Sequence, residues 1–265
     1  MRYLFARWSK IEPELKENRL LLFLDFDGTL ANITGRPQDA RLDRRIGAAL
    51  KSLSRLAECQ LAIISGRNLK DLRRRVGIGG IIYSGNHGLE IEGPKINFCV
   101  TLPPNYRVLL GKLKEVLRRK ISAISGVIIE DKGLTLSVHY RLAQKRDLTD
   151  IKTIFHETVI MPLVKNKIRI RLGKKVLEIR PAVKWDKGKA VLWLLARQKF
   201  AAQGKRVLPI FIGDDITDED AFRVLKNRGM TIFVGRPRRR LTAQYFLRNT
   251  AQVRDFLSRL VKLKS

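Results

Sequence analysis

The sequence predicts an α/β protein: a doubly wound, mainly parallel sheet that carries a smaller inserted α+β domain. Three observations predict this fold. Short apolar runs alternate with stretches of helical periodicity, the runs end abruptly in acidic or polar residues, and the segment 104–180 changes to strands of alternating polarity. Ligands of open α/β sheets bind at the carboxyl ends of the strands. The polar residues that follow the apolar runs are therefore the candidate site residues.

The composition is that of a globular chain. Its 265 residues are 45% hydrophobic and 30% charged, which excludes a disordered or fibrous protein. The apolar run Leu20–Leu24, like every other apolar run in the chain, is far shorter than the roughly 20 residues of a membrane span, and residues 1–10 contain no apolar signal core. We therefore expect a cytoplasmic monomer without a membrane partner. Cys59 and Cys99 lack metal-ligand spacing, so both are expected to be small buried hydrophobic residues.

The charge is unusual for such a chain. Lys and Arg number 54 against 25 Asp and Glu, a net charge of +29, and the excess concentrates in 104–180 and 236–265. A field of this size attracts phosphorylated small molecules, nucleic acid or an acidic membrane surface. Aromatic residues are only 7% and no nucleic-acid motif is recognisable, so nucleic acid is the less favoured partner. The basic run 236–240 receives no role.

The elements of the larger domain follow one another as strands and helices. In chain order they are a strand at 20–24, a helix within 41–57, a strand at 60–64, a short basic helix, a strand at 81–83, a helix at 187–203 and a strand at 207–212. Each strand is apolar throughout, which is typical of parallel strands buried on both faces. Helices must therefore cover both sides of the sheet.

The segment 104–180 has a different texture. A helical pattern at 106–121 precedes the strand 134–141, in which Leu134, Leu136, Val138 and Tyr140 share one face and Thr135, Ser137, His139 and Arg141 the other. This alternation predicts a sheet with one solvated face. We expect an inserted cap domain over 104–180 and a catalytic core made of 1–103 and 181–265.

The strongest chemical signal is Asp25-Phe-Asp27-Gly-Thr, directly after the first buried strand. Two carboxylates two residues apart, followed by a turn-forming glycine, can face one small pocket. Burying two like charges is unfavourable without a cation. The alternative is a solvated loop or a helix cap, but the apolar strand before the motif argues against it.

A second acidic motif follows the strand at 207–212. The segment 213–220 holds five acidic residues within seven positions of a strongly basic chain. Carboxylates in this density suit a hard cation such as Mg²⁺, and the candidate ligands are Asp214, Asp215 and Asp218. Acidic residues are also favoured at helix N-termini, which is the structural alternative for part of this segment.

Two further features suit an anionic transition state. Ser65-Gly-Arg67 supplies a hydroxyl and backbone N–H groups at a helix start, and Lys187 supplies a positive charge. Either feature alone is more often structural, as a helix cap or a surface lysine. Their occurrence together with the two acidic motifs, in this order along the chain, favours a functional role for both.

Asp-x-Asp-Gly-Thr, Ser-Gly-Arg, Lys187 and Gly-Asp-Asp, in this order, resemble the haloacid dehalogenase superfamily. Further segments are similar to trehalose-6-phosphate phosphatases: 85–90, 139–141, 178–181, 186–188 and 213–220. The resemblance covers about residues 20 to 235. It implies a Rossmannoid core with an inserted cap and hydrolysis of a phosphorylated disaccharide, trehalose 6-phosphate.

The resemblance also implies residue roles. Asp25 would be the nucleophile and Asp27 the general acid and base, with Ser65 and Lys187 as phosphate ligands. Mg²⁺ would be held by Asp25, the Asp27 carbonyl and Asp214, with Asp215 or Asp218 as an outer partner. The expected substrate-binding residues are Arg67, Asn86, His87, Glu130, Lys132, Arg141 and Glu178.

The sequence also allows other functions. Related sugar phosphatases acting on sucrose phosphate or mannosyl-3-phosphoglycerate share the core motifs, and a phosphomannomutase is a more distant alternative. In another class, the charge allows a basic nucleic-acid-binding protein.

Overall fold

The computed structural model describes residues 1–121, 123–201, 206–237 and 241–265. Three arginines of the basic run 236–240, at positions 238–240, lie outside the described residues. The chain forms two compact units. We call Met1–Cys99 with Trp185–Ser265 the core unit, and Val100–Lys184 the inserted unit.

The core unit contains a nine-stranded sheet in the order β1-β13-β12-β11-β2-β3-β4-β5-β6. Its strands are β1 Arg2–Tyr3, β2 Arg19–Leu24, β3 Cys59–Ile64, β4 Ile82–Gly85, β5 Glu90–Gly93, β6 Ile96–Cys99, β11 Val207–Gly213, β12 Met230–Val234 and β13 Tyr245–Leu247. Its helices are α1 Trp8–Glu17, α2 Arg44–Leu53, α3 Leu69–Val76, α6 Lys187–Ala201, α7 Glu219–Leu225 and α8 Thr250–Lys264. Neighbouring strands are parallel except that β5 and β6 form an antiparallel edge.

Strand β2 lies in the middle of this sheet, between β11 and β3. Its alternate residues enter two separate apolar clusters: Leu22 and Leu24 pack on one side, Leu21 and Phe23 on the other. Helices bury both faces, which confirms the predicted doubly wound sheet. Because β2, β3, β4 and β11 are parallel, the polar residues that follow them lie along one edge of the sheet.

The inserted unit holds a four-stranded antiparallel sheet in the order β7-β8-β10-β9. Its elements are α4 Tyr106–Ile121, β7 Ile128–Asp131, β8 Leu136–His139, α5 Leu148–Val164, β9 Ile168–Gly173 and β10 Val176–Pro181. Leu136 and Val138 of β8 pack in one cluster with residues of α4 and α5, such as Leu113 and Phe155. The predicted apolar face is therefore correct.

The predicted solvated face of the strand 134–141, of which 136–139 form β8, is wrong for two residues. Thr135 and Ser137 are fully buried, although they lie on the polar side of the strand. Their hydroxyl groups donate to Glu178 Oε1, at 3.5 and 3.2 Å. The hydrogen bonds satisfy groups that the alternation pattern assigned to water.

The two cysteines differ. Cys59 begins the central strand β3 and is buried, and burial raises the pKa of its thiol to about 11. Cys99 is exposed, so its predicted burial is wrong. It ends β6, an edge strand of the sheet, next to which the structure describes no further strand.

Among the helices in the part of the chain that the structure describes, none combines the length and the apolar character needed to cross a bilayer.

Candidate active site

Four polar residues meet at one edge of the core sheet because of the strand order. Asp25 follows β2, Ser65 follows β3, Asp214 follows β11, and Lys187 begins α6. Asp25, Ser65, Lys187 and Asp214 are each at most 5% exposed. Charged groups are rarely buried this deeply unless they are paired. The carboxyl edge of the core sheet therefore holds buried charged groups that must be paired with one another.

Lys187 links two of the acidic motifs. Its Nζ donates to Asp25 Oδ1 and to Asp218 Oδ1, both at 2.6 Å. Burial alone would lower the pKa of Lys187, but the negative charges of Asp218 and Asp25 hold it above its ordinary value. Lys187 therefore stays protonated and can face an anion.

The carboxyl group of Asp25 is in the opposite situation. Burial raises its pKa well above the ordinary value; the Lys187 charge opposes this, while Asp218 and Asp214 add to it. Within this group, three carboxylates face one ammonium. The excess negative charge favours a cation beside them.

Asp25, Asp214 and Asp218 could supply that cation site. Each offers one carboxylate oxygen, and these oxygens all lie within 4.8 Å of one another. Carboxylate oxygens are hard ligands of the kind that Mg²⁺ and Ca²⁺ take. The chemistry of the donor set therefore fits a hard divalent cation.

Asp215 has a different place. It is the N-cap of the short 3₁₀ helix Ile216–Asp218, where its side chain accepts from the Asp218 backbone and its own N–H donates to Asp218 Oδ2 at 2.9 Å. Among the described residues it does not belong to the carboxylate group. The helix-cap alternative thus describes Asp215, and Asp218 is the residue that joins the site.

Asp27 is held by an arginine. The guanidinium of Arg67 donates from Nε to Asp27 Oδ2 at 2.8 Å and from Nη2 to Asp27 Oδ1 at 2.6 Å. The same guanidinium donates to Asp71 Oδ2 at 3.0 Å and to the Pro37 carbonyl at 2.7 Å. Arg67, expected to bind substrate, is therefore committed to protein carboxylates in this structure.

Ser65 follows β3, and Asn86 and His87 follow β4. Backbone hydrogen bonds join these two strand ends. The backbone N–H groups of Asn86 and His87 donate to the carbonyls of Arg67 and Ser65, at 2.7 and 2.8 Å. The Asn86 side chain donates to Glu90 Oε1 at 2.6 Å. The His87 ring packs over Gly66, where a β-carbon would come within 2.4 Å of it, so only glycine leaves the ring this position.

The candidate sugar-binding residues lie in the inserted unit, around Glu178. Its Oε1 accepts from Lys132 Nζ at 2.9 Å, and Arg180 donates to its Oε2. Glu178 and Lys132 are buried, whereas Glu130 is half-buried and pairs with His139 at 2.7 Å. Arg141 is exposed, and its guanidinium donates to the Lys174 carbonyl.

Sequence reasoning missed Asp71 and Arg180. Asp71 lies four residues after Arg67, the spacing at which side chains on one helix face can pair, and Arg180 lies two residues after Glu178 on the same face of β10. Both spacings could have indicated the pairs. Neither spacing identifies a pair by itself, because in a chain with 54 Lys and Arg many carboxylates have a basic residue at these spacings.

Comparison with known proteins is consistent across the chain. The family described as Trehalose-phosphatase matches residues 23–251. Probable trehalose-phosphate phosphatase D of Arabidopsis thaliana is 37% identical over 97% of this chain and 71% of its own length. Trehalose-phosphate phosphatase B of the same plant is 34% identical over 97% of this chain and 70% of its own.

A solved structure gives the same answer for the fold. The C-terminal domain of trehalose-6-phosphate phosphatase from C. albicans superposes with a TM-score of 0.78, covering 95% of this chain and 96% of that one at 24% identity. The family indicated by the motifs is confirmed by the family match and the relatives, and the fold by this structure. The chain belongs to the trehalose-phosphatase family.

Proposed function

We propose that the chain is a Mg²⁺-dependent phosphatase that hydrolyses trehalose 6-phosphate to trehalose and phosphate through an aspartyl phosphate. One observation carries the chemistry: Lys187 lies between Asp25 and Asp218, with the Asp214 carboxylate in the same group. A buried ammonium beside a nucleophilic carboxylate and a cation site suits phosphoryl transfer. The names of the relatives support trehalose 6-phosphate as the substrate.

In the first step, an Asp25 carboxylate oxygen attacks phosphorus. The bond between phosphorus and the sugar oxygen breaks, and Asp27 gives its proton to that oxygen, so that the sugar leaves as a neutral alcohol. Lys187 and the Ser65 hydroxyl bind the phosphoryl oxygens. Positive charge and donors fixed in place stabilise the charge that spreads over them.

In the second step, the Asp27 carboxylate takes a proton from water. That water attacks phosphorus, the bond to the Asp25 oxygen breaks, and phosphate leaves. The acid of one step is thus the base of the next. An acidic residue at position 27 favours rapid hydrolysis of the intermediate over its accumulation.

Asp25 and Asp214, with the Asp27 carbonyl, would hold the Mg²⁺, and Asp218 would act as an outer partner. When bound, Mg²⁺ supplies a positive charge that neutralises the phosphoryl oxygens. Asp215 is better suited to capping the short helix than to holding the cation.

The inserted unit is proposed as the cap that recognises the sugar. Glu130, Lys132, Arg141 and Glu178 offer the acceptors and donors that a disaccharide with many hydroxyl groups requires. The paired charges of Lys132 and Glu178 support this assignment, because fixed partners keep both side chains in place. Asn86 and His87 are proposed to contact the substrate from the core unit.

The test is phosphate release from trehalose 6-phosphate by the purified chain, with Mg²⁺ or with EDTA, beside sucrose 6-phosphate and mannosyl-3-phosphoglycerate. We expect release from trehalose 6-phosphate in Mg²⁺ alone, with Ca²⁺ a poor substitute because its larger coordination shell alters the geometry. Faster turnover of another sugar phosphate would overturn the substrate assignment. Undiminished rates in EDTA would overturn the metal assignment.

A further inference from the structure

Asp71, on α3, accepts hydrogen bonds from three arginines. Its Oδ2 accepts from Arg67 Nη1 at 3.0 Å and from Arg75 Nε at 2.6 Å, and its Oδ1 accepts from Arg74 Nη2 at 2.7 Å. Burial tends to raise the pKa of Asp71, but its hydrogen bonds to Arg75, Arg74 and Arg67 lower it below the ordinary value. Asp71 is therefore a fixed negative charge at neutral pH.

Arg67 joins this charge to Asp27. Arg67 is 5% exposed, and its guanidinium lies 5.2 Å from the centre of the Phe26 ring and uses all three nitrogens in hydrogen bonds. The planar fork meets both oxygens of Asp27 at once, which fixes the rotation of that carboxylate as well as its position. The Asp27 side chain is 39% exposed, so packing alone does not confine it.

We infer that Arg67 and Asp71 are positioning residues for Asp27: Asp71 holds the Arg67 guanidinium, and Arg67 orients the Asp27 carboxylate. When Asp27 acts as the acid, one of its oxygens carries the proton and leaves the fork, while the other oxygen keeps its hydrogen bond to Arg67. This inference rests on the proposed role of Asp27 as general acid and base. Neither residue needs to touch the substrate. A general acid must lie within hydrogen-bond reach of the oxygen it protonates, and a displacement of about 1 Å can cost roughly 100-fold in rate.

Arg67, just before α3, and Arg75, on α3, also hold the loop 37–40. Arg67 donates to the Pro37 carbonyl at 2.7 Å, and Arg75 donates to the Ala40 carbonyl at 2.7 Å. A purely structural role for Asp71 would act through this loop. Arg75 separates the two roles, because it binds Asp71 and the loop but has no hydrogen bond to Asp27 among the described residues.

The experiment compares two phosphate esters in Asp71→Asn and Arg67→Lys. Departure of a sugar alkoxide needs a proton, whereas p-nitrophenolate leaves without one. The ratio kcat/KM reports the steps up to phosphoenzyme formation. We expect kcat/KM for trehalose 6-phosphate to fall about 10- to 100-fold in both variants, and kcat/KM for p-nitrophenyl phosphate to fall less than about threefold.

Two control variants leave Arg67 and Asp71 joined. Glu92→Gln removes the exposed ion pair of Arg73 on the same helix, 2.6 Å long. Arg75→Gln removes the loop contact together with the hydrogen bond from Arg75 to Asp71, and leaves the one from Arg67. Both are expected to keep the wild-type ratio of the two kcat/KM values. An equal fall for both esters in Asp71→Asn, or the same ratio change in Arg75→Gln, would overturn the positioning role.

The wild-type chain separates this inference from the proposed function. If it releases no phosphate from trehalose 6-phosphate but hydrolyses glucose 6-phosphate, the substrate assignment fails, and the comparison of esters is made with glucose 6-phosphate instead. If trehalose 6-phosphate is hydrolysed and the Asp71→Asn ratio is unchanged, the positioning role alone fails.

Discussion

Gly28 lies against the carboxylate of Asp214: a β-carbon built on Gly28 would be 2.3 Å from Asp214 Cγ and equally close to one of its oxygens. Gly28 also has a φ of +89°, in the region that side chains rarely adopt. The glycine of the first acidic motif thus makes room for the second. The two motifs are almost two hundred positions apart in the chain, and the missing β-carbon of Gly28 leaves the space that the Asp214 carboxylate occupies.

Gly28→Ala is therefore expected to abolish turnover by displacing Asp214. We expect kcat/KM to fall by at least about 100-fold, with a higher Mg²⁺ concentration needed for half-maximal rate. Gly77→Ala is the matched control, because Gly77 has a φ of +65° but a β-carbon there meets nothing within 4 Å. It should lose about 1 kcal/mol of stability and keep its activity. Equal activity in the two variants would contradict the clash.

Lys187→Met should destroy activity and also destabilise the fold. It leaves Asp25 and Asp218 buried without their common ammonium, and removing one partner of a buried ion pair typically costs about 3–5 kcal/mol. Urea denaturation in EDTA measures the loss. The double variant Lys187→Met with Asp218→Asn should recover part of the stability and none of the activity. No recovery would mean that Lys187 stabilises the fold by packing rather than by charge.

Asp25→Asn should be inactive but folded. The change removes the nucleophile, and it replaces a carboxyl group whose pKa burial raises with a neutral amide of the same shape. We expect a melting temperature in EDTA that is unchanged or higher, and no phosphate release. Retained wild-type turnover would rule out the covalent mechanism.

Glu130→Gln is the sharper test of sugar recognition in the inserted unit. Glu130 is half-buried and paired with His139. Loss of Glu178, in contrast, would leave the buried Lys132 and the half-buried Arg180 without their common carboxylate and disturb the sheet. We expect kcat/KM for trehalose 6-phosphate to fall about 10- to 1000-fold. Hydrolysis of p-nitrophenyl phosphate should change less than about threefold, because that ester has no sugar hydroxyls. An equal fall in kcat/KM for both substrates would mean that Glu130 stabilises the fold rather than binding the sugar.

The two thiols should react very differently. The pKa of Cys59 is raised to about 11, so almost none of it is thiolate at pH 8, and its side chain is also buried. Cys99 is exposed. At pH 8, a thiol reagent should label one cysteine quickly in the folded chain and two in urea. Rapid labelling of Cys59 in the folded chain would show that the start of β3 opens readily.

The sequence by itself determined the sheet class and the family. Apolar runs such as Leu20–Leu24 can be buried only in a sheet covered on both sides, and acidic residues directly after them must lie at its carboxyl edge. These are local properties of the chain. The motifs around Asp25, Ser65, Lys187 and Asp214 could be identified for the same reason.

Only the tertiary structure decided which charges pair. The choice between Asp215 and Asp218 depends on where a short helix begins, because both residues lie in the same acidic segment 213–220. The burial of Thr135 and Ser137 depends on Glu178, more than forty residues later in the chain. The fork of Arg67 on Asp27 joins residues forty positions apart. In a chain with 54 basic residues, composition allows many partners for each carboxylate, and only packing in three dimensions selects one.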